Sequence, residues 1–253
     1  MSSTTAIGID IGGTGIKGGV VDLGTGELLS ERIKLPTPAG GRPDDIVETT
    51  NEVLAQLDDV ADPAAPVGVC FPAIIRNGHT MSAANVSKKW IGLDAESLFE
   101  KKLKHDIHFV NDADAAGYAE TEFGAAKGVA GLVILTTLGT GIGSALIYNG
   151  VLVPNAELGH LEVDGHDAES KAAYSAKERE GLSWEQWSKR LQRYYETVEF
   201  LMSPDLFVVG GGVSKHYQEF FPLLKLDTKI VPAQYRNNAG ILGAAALAAK
   251  GNR

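Results

Sequence analysis

The sequence is poor in cysteine and in long apolar runs. Its 253 residues include one cysteine, Cys70, so the chain can form neither an internal disulfide nor a cysteine-based metal site. No apolar run approaches the roughly 20 residues that span a bilayer, and the N-terminus shows no basic-then-apolar targeting pattern. We therefore expect a soluble, cytoplasmic protein without a membrane partner.

Positive charge is also scarce. The formal net charge of -9 argues against a general nucleic-acid binder, although a local basic groove could still bind a phosphate-rich substrate. The hydrophobic content of 44% is ordinary for a globular protein, and the length suits one large domain or two small ones. The 30 glycines cluster in short runs without a period, which excludes a fibrous chain.

A unit of strand, glycine turn and strand occurs twice and predicts two similar α/β domains with a cleft between them. The strands predicted for the two copies are 6–11, 16–22 and 28–34, then 132–138, 142–148 and 151–153. Helices alternate with buried strands after each copy. We predict an N-terminal domain of residues 1–113 plus 239–253, with the last helix packed back onto it, and a C-terminal domain of residues 114–238.

The first glycine turn is a candidate phosphate site. Turns with so little side-chain bulk let backbone N–H groups approach an anion, and a hydroxyl and a lysine add to the attraction. The predicted phosphate-binding residues are Gly12, Gly13, Thr14, Gly15 and Lys17. Asp10, at the end of the preceding strand, is placed to hold Mg²⁺ through water. A plain hairpin turn is the alternative; a dinucleotide site is rejected because strand, not helix, follows the turn.

Two later glycine turns have the same character. The predicted phosphate-binding residues are Gly139, Thr140 and Gly141 in the second turn, and Gly211 and Gly212 after a buried strand. An ordinary hairpin and a tight strand-to-helix connection are the alternatives for these two turns.

Polar residues that suit a sugar acceptor follow two of the predicted elements. Asp112 lies where a buried strand meets a helix, so it is a candidate general base that takes a hydroxyl proton, or else a helix cap. Glu157 and His160, three residues apart near a glycine, suit hydrogen bonds to vicinal sugar hydroxyls. Glu169 could complete this set. A solvated loop, a lone metal ligand and a surface charge are the alternatives for these three residues.

Five motifs in this order resemble the ROK family of sugar kinases and sugar-responsive repressors. They are Asp-x-Gly-Gly-Thr at 10–14, Asn-Asp-Ala-Asp at 111–114, Leu-Gly-Thr-Gly-x-Gly at 138–143, Glu-x-Gly-His at 157–160 and Gly-Gly-Gly-Val-Ser at 210–214. The resemblance covers nearly the whole chain. It implies an actin-like/hexokinase (ribonuclease H-like) fold and Asp112 as the catalytic base. It also implies sugar contacts from Asn85, Asn111, Asp112, Glu157, His160 and Glu169.

One departure from the family pattern narrows the resemblance. Many members carry a cysteine-rich zinc motif after Glu-x-Gly-His, but residues 161–170 contain no cysteine. We therefore predict no zinc and expect hydrogen bonds to orient His160. This stretch and the short length resemble the polyphosphate glucokinase subgroup. That subgroup implies Mg²⁺-assisted phosphoryl transfer from inorganic polyphosphate or ATP to the 6-hydroxyl of glucose, with mannose as a second acceptor.

Two other functions stay open. One is an ATP-dependent ROK kinase for another hexose, such as an N-acetylated sugar, and the other is an actin-like ATPase that does not act on sugars. The family commonly dimerises, which makes a homodimer a further expectation.

Polyphosphate has no base or ribose to bind, so its donor site would need several cations. The candidates are Lys88 and Lys89 beside Trp90, and Lys189, Arg190, Arg193, Lys215 and Arg236. Each could instead be a solvated charge on an ordinary surface.

Overall fold

The chain divides into two compact units. The computed structural model describes residues 4–57, 59–83 and 86–251. Unit 1 comprises Met1–Ala119 and Asn238–Arg253, and unit 2 comprises Glu120–Asn237. Within the described residues, none of the helices combines the length and apolar character that crossing a bilayer requires. The cytoplasmic location stays a prediction.

Unit 1 is built on a five-stranded sheet in the order β3-β2-β1-β4-β7, and β5 and β6 pair separately. The strands are β1 (Thr5–Ile11), β2 (Ile16–Asp22), β3 (Ile33–Leu35), β4 (Val67–Phe71), β5 (Ile75–Arg76), β6 (His79–Thr80) and β7 (Ile107–Asn111). The first three strands pair antiparallel, whereas β4 and β7 add in parallel to β1. The carboxyl ends of β1, β4 and β7 therefore meet at one edge of the sheet.

Apolar residues of the strands and helices form the core of unit 1. The helices that follow the strands are α1 (Pro43–Ala55), α2 (Ala95–Leu103) and α3 (Asp112–Glu122). All five residues of β4 are buried, as expected for a central parallel strand. Asp94 caps α2 by accepting a hydrogen bond from the Ser97 amide. Trp90 and Phe99 stack in the core formed by these elements.

The third strand of unit 1 is shorter than the sequence predicts. The expected strand 28–34 is reduced to Ile33–Leu35, with one isolated bridge between Val21 and Leu28. The Ser30 hydroxyl accepts the Val20 N–H at 3.0 Å. A side-chain acceptor here replaces the carbonyl that a continuous strand would offer, so the ladder is interrupted.

Unit 2 repeats the sheet topology of unit 1, with strands in the order β10-β9-β8-β13-β14 and a separate pair, β11 and β12. The strands are β8 (Leu132–Leu138), β9 (Ile142–Tyr148), β10 (Val151–Val153), β11 (Glu162–Val163), β12 (His166–Asp167), β13 (Leu206–Gly210) and β14 (Lys229–Pro232). Again, two antiparallel pairings are followed by two parallel ones. The repeated strand–turn–strand unit of the sequence therefore corresponds to two sheets of one topology.

One long helix dominates the packing of unit 2. The helices of the unit are α4 (Ala168–Ala172), α5 (Tyr174–Arg179), α6 (Trp184–Met202) and α7 (Tyr217–Phe220). Single-turn 3₁₀ helices occur in the two units at Lys88–Trp90, Leu158–His160, Gly212–His216, Phe221–Leu223 and Arg236–Asn238. Ser183 and Gln186 form a capping box at the start of α6. Apolar residues at helical spacing then bury one face of α6 in the core.

The last helix, α8 (Ala239–Lys250), packs onto the sheet of unit 1. Its backbone lies directly on two strands, which glycine makes possible. A Cβ placed on Gly8 would lie 1.9 Å from the Ile241 carbonyl oxygen, and one on Gly68 would lie 1.9 Å from the Ala244 carbonyl oxygen. Gly243 meets Ala115 of α3 in the same way, with 1.7 Å between its Cβ position and the Ala115 carbonyl oxygen.

Candidate active site

The first glycine turn connects β1 and β2 in unit 1. The Gly12 N–H donates to the Gly15 carbonyl at 3.0 Å, and the Thr37 hydroxyl donates to the Gly12 carbonyl at 2.5 Å. Gly13 and Thr14 are exposed at the tip of the turn. The hydrogen bonds of Gly12 thus fix the turn, and its tip is open to solvent. Backbone N–H groups at such a tip can bind an anion.

The charged residues beside this turn are already paired. Lys17 Nζ lies 2.8 Å from Asp10 Oδ2, with side-chain exposures of 21% and 15%. The thiol of Cys70 is 3.7 Å from Asp10 Oδ1. A hydrated Mg²⁺ needs only one or two protein carboxylates and takes its other ligands from water and phosphate oxygens. The Asp10 carboxylate therefore fits that ion.

Asp10 and Asp112 lie at the same edge of the unit 1 sheet. Cys70 is the register partner of Asp10 on one side and of Val110, two residues before Asp112, on the other. Burial raises the pKa of the Cys70 thiol well above its usual range, and the negative charges of Asp10 and Asp112 add to that rise. The thiol is therefore neutral, and both carboxylates are close enough to affect it.

Asn111 holds the beginning of α3. Its Oδ1 accepts the N–H groups of Ala113 and Asp114 at 2.8 and 3.0 Å, and its Nδ2 donates to the Ala73 carbonyl at 3.0 Å. Asp112 Oδ1 also accepts the Ala113 N–H, at 2.9 Å. Asn111 thus caps the helix through two amides, so Asp112 is not required for that role. Asn85, predicted as a sugar contact, lies outside the described residues.

The second glycine turn connects β8 and β9 in unit 2 and is braced by two side chains. The Ser175 hydroxyl donates to the Thr140 carbonyl at 2.6 Å. Glu169 Oε2 accepts the Ile142 N–H at 2.9 Å, and a Cβ placed on Gly141 would lie 2.3 Å from that oxygen. A side chain at position 141 would therefore displace the Glu169 carboxylate and disturb its hydrogen bond to the Ile142 amide.

The third glycine turn lies beside the second. β13 pairs in parallel with β8, and Gly210 is the register partner of Thr137. Gly211 adopts a φ of +81°, and its Cβ position is 2.3 Å from the Leu138 carbonyl oxygen. Unit 2 thus brings two of the predicted phosphate turns, 139–141 and 211–212, to one edge of its sheet.

The predicted sugar residues of unit 2 are attached to the strand that leaves the second turn. The Ser144 hydroxyl donates to the Ala156 carbonyl and accepts the Leu158 N–H, which fixes the segment that carries Glu157. Gly159 packs on the Ile142 carbonyl oxygen, 2.1 Å from its Cβ position. The first residues of β9 therefore position both the second turn and the Glu-x-Gly-His segment.

The pKa values of Glu157 and His160 are both raised, and the charge of Glu169 contributes to both rises. Burial raises the pKa of Glu157, the charge of His160 opposes that rise, and Glu169 adds to it. His160 Nδ1 lies 2.8 Å from Asp167 Oδ2, and this hydrogen bond is the main cause of a raised His160 pKa. This hydrogen bond to Asp167 fixes the orientation of the His160 ring.

Replacing Asp167 with Asn should lower the pKa of His160, because the amide carries no charge to stabilise the imidazolium. In the native protein the folded pKa lies above the ordinary value of about 6.5. The stabilisation by this pair is therefore complete below that value and is lost as pH rises through the folded pKa. NMR titration of the His160 ring measures the change.

Asp164→Asn is the matched control. It removes a carboxylate from the β11–β12 hairpin, to which Asp167 also belongs, but Asp164 is bound to Arg193 and not to His160. An equal pKa change of His160 in both variants would mean that the hydrogen bond to Asp167 is not its cause.

Residues in and beside the β11–β12 hairpin form a group that could bind a metal ion. One ligand atom each of His160, Asp167 and Glu169 lies within 4.8 Å of the others. One carboxylate of this group is already bound to the Ile142 amide. The absence of zinc stays a prediction.

Two of the three cations that the sequence suggested on the long helix are paired with carboxylates. Arg190 pairs with Glu180 at 2.6 Å, and Arg193 pairs with Asp164 at 2.8 Å. Trp90 is completely buried and donates to the Gly41 carbonyl, so it is a core residue. Arg190 and Arg193 thus each have a carboxylate partner, whereas Lys189 is exposed and in none of the ion pairs found among the described residues, and a donor surface on this helix stays a prediction.

Three residues that help to build the site were not predicted from the sequence. Ser144 and Ser175 bind backbone carbonyls through contacts that no local pattern indicates. Asp167 could have been found, because Asp164-Gly165 is a strong hairpin signal and a tight turn there folds Asp167 back toward His160.

The two sheets and their glycine turns define an α/β protein of the actin-like, hexokinase-type fold. A ROK family glucokinase from Streptomyces griseus, solved in complex with glucose and AMPPNP, matches with a TM-score of 0.80 over 97% of this chain and 99% of its own, at 24% identity. The model of the ROK family matches residues 6–175, and the chain belongs to that family.

Two relatives are considerably more similar in sequence. The chain is 47% identical to the polyphosphate glucokinase of Mycobacterium tuberculosis over 239 residues, which are 94% of this chain and 89% of the relative. Its sequence is 55% identical to that of the inorganic polyphosphate/ATP-glucomannokinase from Arthrobacter sp. strain KM. The crystal structure of that enzyme matches with a TM-score of 0.92 over 99% of this chain and 100% of the other. The resemblance stated from the motifs is confirmed.

Proposed function

We propose that this chain is a kinase that transfers a phosphoryl group from inorganic polyphosphate or ATP to the 6-hydroxyl of glucose, and also of mannose. The similarity to a polyphosphate glucokinase and to a polyphosphate/ATP-glucomannokinase supports both the donors and the acceptors. The motifs on which the activity depends lie within the described residues, except for Asn85.

One observation carries the proposal. In unit 2, the first residues of β9 position two features: the second glycine turn, which suits phosphate, and the Glu-x-Gly-His segment at 157–160, which suits a sugar. Glu169 lies between the two, since its carboxylate binds the Ile142 amide at the end of the turn and has an oxygen within 4.8 Å of a His160 ring nitrogen. An ATPase that does not act on sugars would have no use for a glutamate and histidine set at this place.

Asp112 is the general base of the proposed reaction. The sugar 6-hydroxyl attacks the terminal phosphorus, the bond to the bridging oxygen breaks, and the donor leaves one phosphate shorter. As the new P–O bond forms, the hydroxyl proton passes to the Asp112 carboxylate. Asn111 supports this role because it caps α3 and so fixes the backbone on which Asp112 lies.

Glu157, His160 and Glu169 bind the sugar hydroxyls, and the second hydrogen of the Asn111 amide is a further donor. His160 is held by Asp167, so its other ring nitrogen has a fixed direction. Charged and polar groups in fixed positions favour one orientation of the ring hydroxyls. Positioning of this kind supplies much of the rate in phosphoryl transfer.

The glycine turns bind the phosphate oxygens through backbone N–H groups, Thr14 and Thr140. Asp10 would hold a Mg²⁺ ion, which, when bound, neutralises the charge that develops on the phosphate oxygens. Lys17 stays beside Asp10 and limits the negative charge at this edge of the sheet.

Changing Glu169 should affect both substrates. Glu169→Ala removes the acceptor of the Ile142 N–H and a sugar contact, so we expect the KM values for glucose and for the phosphoryl donor to rise about tenfold. Glu169→Gln keeps an oxygen that can accept the N–H, so the donor KM should return toward the native value while the glucose KM stays high. Steady-state kinetics with each substrate varied measures this.

Glu178→Ala, an exposed change on α5, is the matched control and should alter neither KM. If the alanine and glutamine variants at position 169 show the same donor KM, Glu169 does not brace the turn.

Initial rates with each sugar and each donor test the proposed function. Glucose, mannose and an N-acetylated hexose are each paired with polyphosphate and with ATP, and the hexose 6-phosphate formed is measured. We expect turnover of glucose and mannose with both donors, and its loss when a chelator removes the divalent ion. Phosphate release that is independent of sugar would instead indicate an ATPase, and turnover confined to the N-acetylated sugar with ATP would indicate another ROK kinase.

A further inference from the structure

A row of charged side chains crosses the sheet of unit 1 beside the first glycine turn. Lys34 on β3 is the register partner of Lys17 on β2, and Lys17 is the register partner of Asp10 on β1. Residues directly opposite each other in a sheet point to the same face. The row therefore reads lysine, lysine, aspartate on one face.

The two lysines of this row differ in their partners. Lys17 is bound to Asp10 at 2.8 Å. Lys34 is exposed, and none of the ion pairs found among the described residues involves it. Of these two lysines, Lys34 is therefore the one whose charge is available to a ligand.

Lys34 also lies against the turn itself. A Cβ placed on Gly15 would be 2.8 Å from Lys34 Cε and 3.7 Å from its Cγ, so the lysine stem passes over Gly15. Three residues further on, Thr37 binds the Gly12 carbonyl. β3 and the residues directly after it thus contact both ends of the turn, and the Lys34 ammonium lies within reach of an anion bound there.

Like charges placed directly opposite each other on neighbouring strands destabilise a sheet. Asp10 offsets this cost for Lys17, but none of the carboxylates in the described part of the chain pairs with Lys34 to offset it there. A negatively charged ligand at the turn would offset it, because phosphate oxygens would then lie between the lysine and the backbone N–H groups.

We infer that Lys34 binds the phosphoryl donor, at the phosphate groups that follow the terminal one, and that it matters more for polyphosphate than for ATP. This inference rests on the proposed function. Polyphosphate is bound only through its charges, whereas ATP also offers a base and a ribose, so losing one cation removes a larger share of the polyphosphate contacts.

Lys34→Met tests the inference because methionine keeps an unbranched stem over Gly15 and removes only the charge. We expect the KM for polyphosphate to rise roughly tenfold and that for ATP at most about threefold, with the glucose KM and kcat unchanged. Lys34→Arg should restore the native value. The slope of log KM for polyphosphate against log salt should also fall, by roughly 0.7–0.9 for one phosphate contact.

Lys101→Met, which removes an exposed charge from α2, is the matched control for net charge and should change none of these values. An unchanged polyphosphate KM and salt slope in Lys34→Met, with an active native enzyme, would overturn the inference and leave Lys34 as a solvated charge on an edge strand. Equal effects on both donors would overturn the preference for polyphosphate. A native protein inactive with both donors would refute the proposed function instead.

Discussion

Replacing Asp112 with Asn should lower kcat by at least about a hundredfold while glucose still binds. Asparagine has nearly the same shape but cannot accept the hydroxyl proton at neutral pH. The fold should survive the change, because Asn111 caps α3 through two amides and the new side chain still offers an oxygen to the Ala113 N–H. Steady-state kinetics gives kcat, and calorimetric titration gives glucose affinity.

Asp106→Asn is the matched control for this variant. Asp106 is exposed just before β7, at the other end of the strand that leads to Asp112, so its loss should change neither kcat nor thermal stability. A folded Asp112→Asn protein with kcat within tenfold of the native value would exclude Asp112 as the base.

Replacing Gly68 with Ala should cost unit 1 about 3 kcal/mol of stability. The added Cβ would lie 1.9 Å from the Ala244 carbonyl oxygen and 2.4 Å from its carbon, and both are backbone atoms of α8. No rotamer change can relieve that contact, so α8 must move away from the sheet. The melting temperature should fall by roughly 6–12 °C, measured by calorimetry.

Gly210→Ala provides the comparison, because Gly210 also lies in a buried parallel strand but its Cβ position is 3.7 Å from the nearest atoms. This variant should melt within a few degrees of the native protein. Equal destabilisation of the two variants would mean that loss of glycine in a strand, rather than contact with α8, determines the effect.

The local patterns of the sequence predicted much of the fold. The strands and glycine turns at 10–17 and 137–144 follow from alternating apolar residues and from turn residues close to them in the chain, and the structure has these strands at the predicted positions. The third strand was predicted too long because Ser30 competes for a backbone N–H, which the apolar pattern does not reveal.

The electrostatics of the candidate site could not be predicted in this way. Arg193 is paired with Asp164, 29 residues earlier, and the Ile142 N–H is accepted by Glu169, 27 residues later. Lys17 and Lys34 have the same charge in the sequence, but only the pairing of three strands shows that one is bound to a carboxylate and the other is not.

The sequence by itself determined the family, the repeated strand–turn–strand unit and the residue types available for binding phosphate and sugar. The tertiary structure decided which charges are available to a ligand, which glycines are needed for close packing and which side chains brace the turns. The physical reason is that a turn depends on neighbouring residues, whereas neutralisation and close contact depend on atoms that only folding brings within a few ångströms.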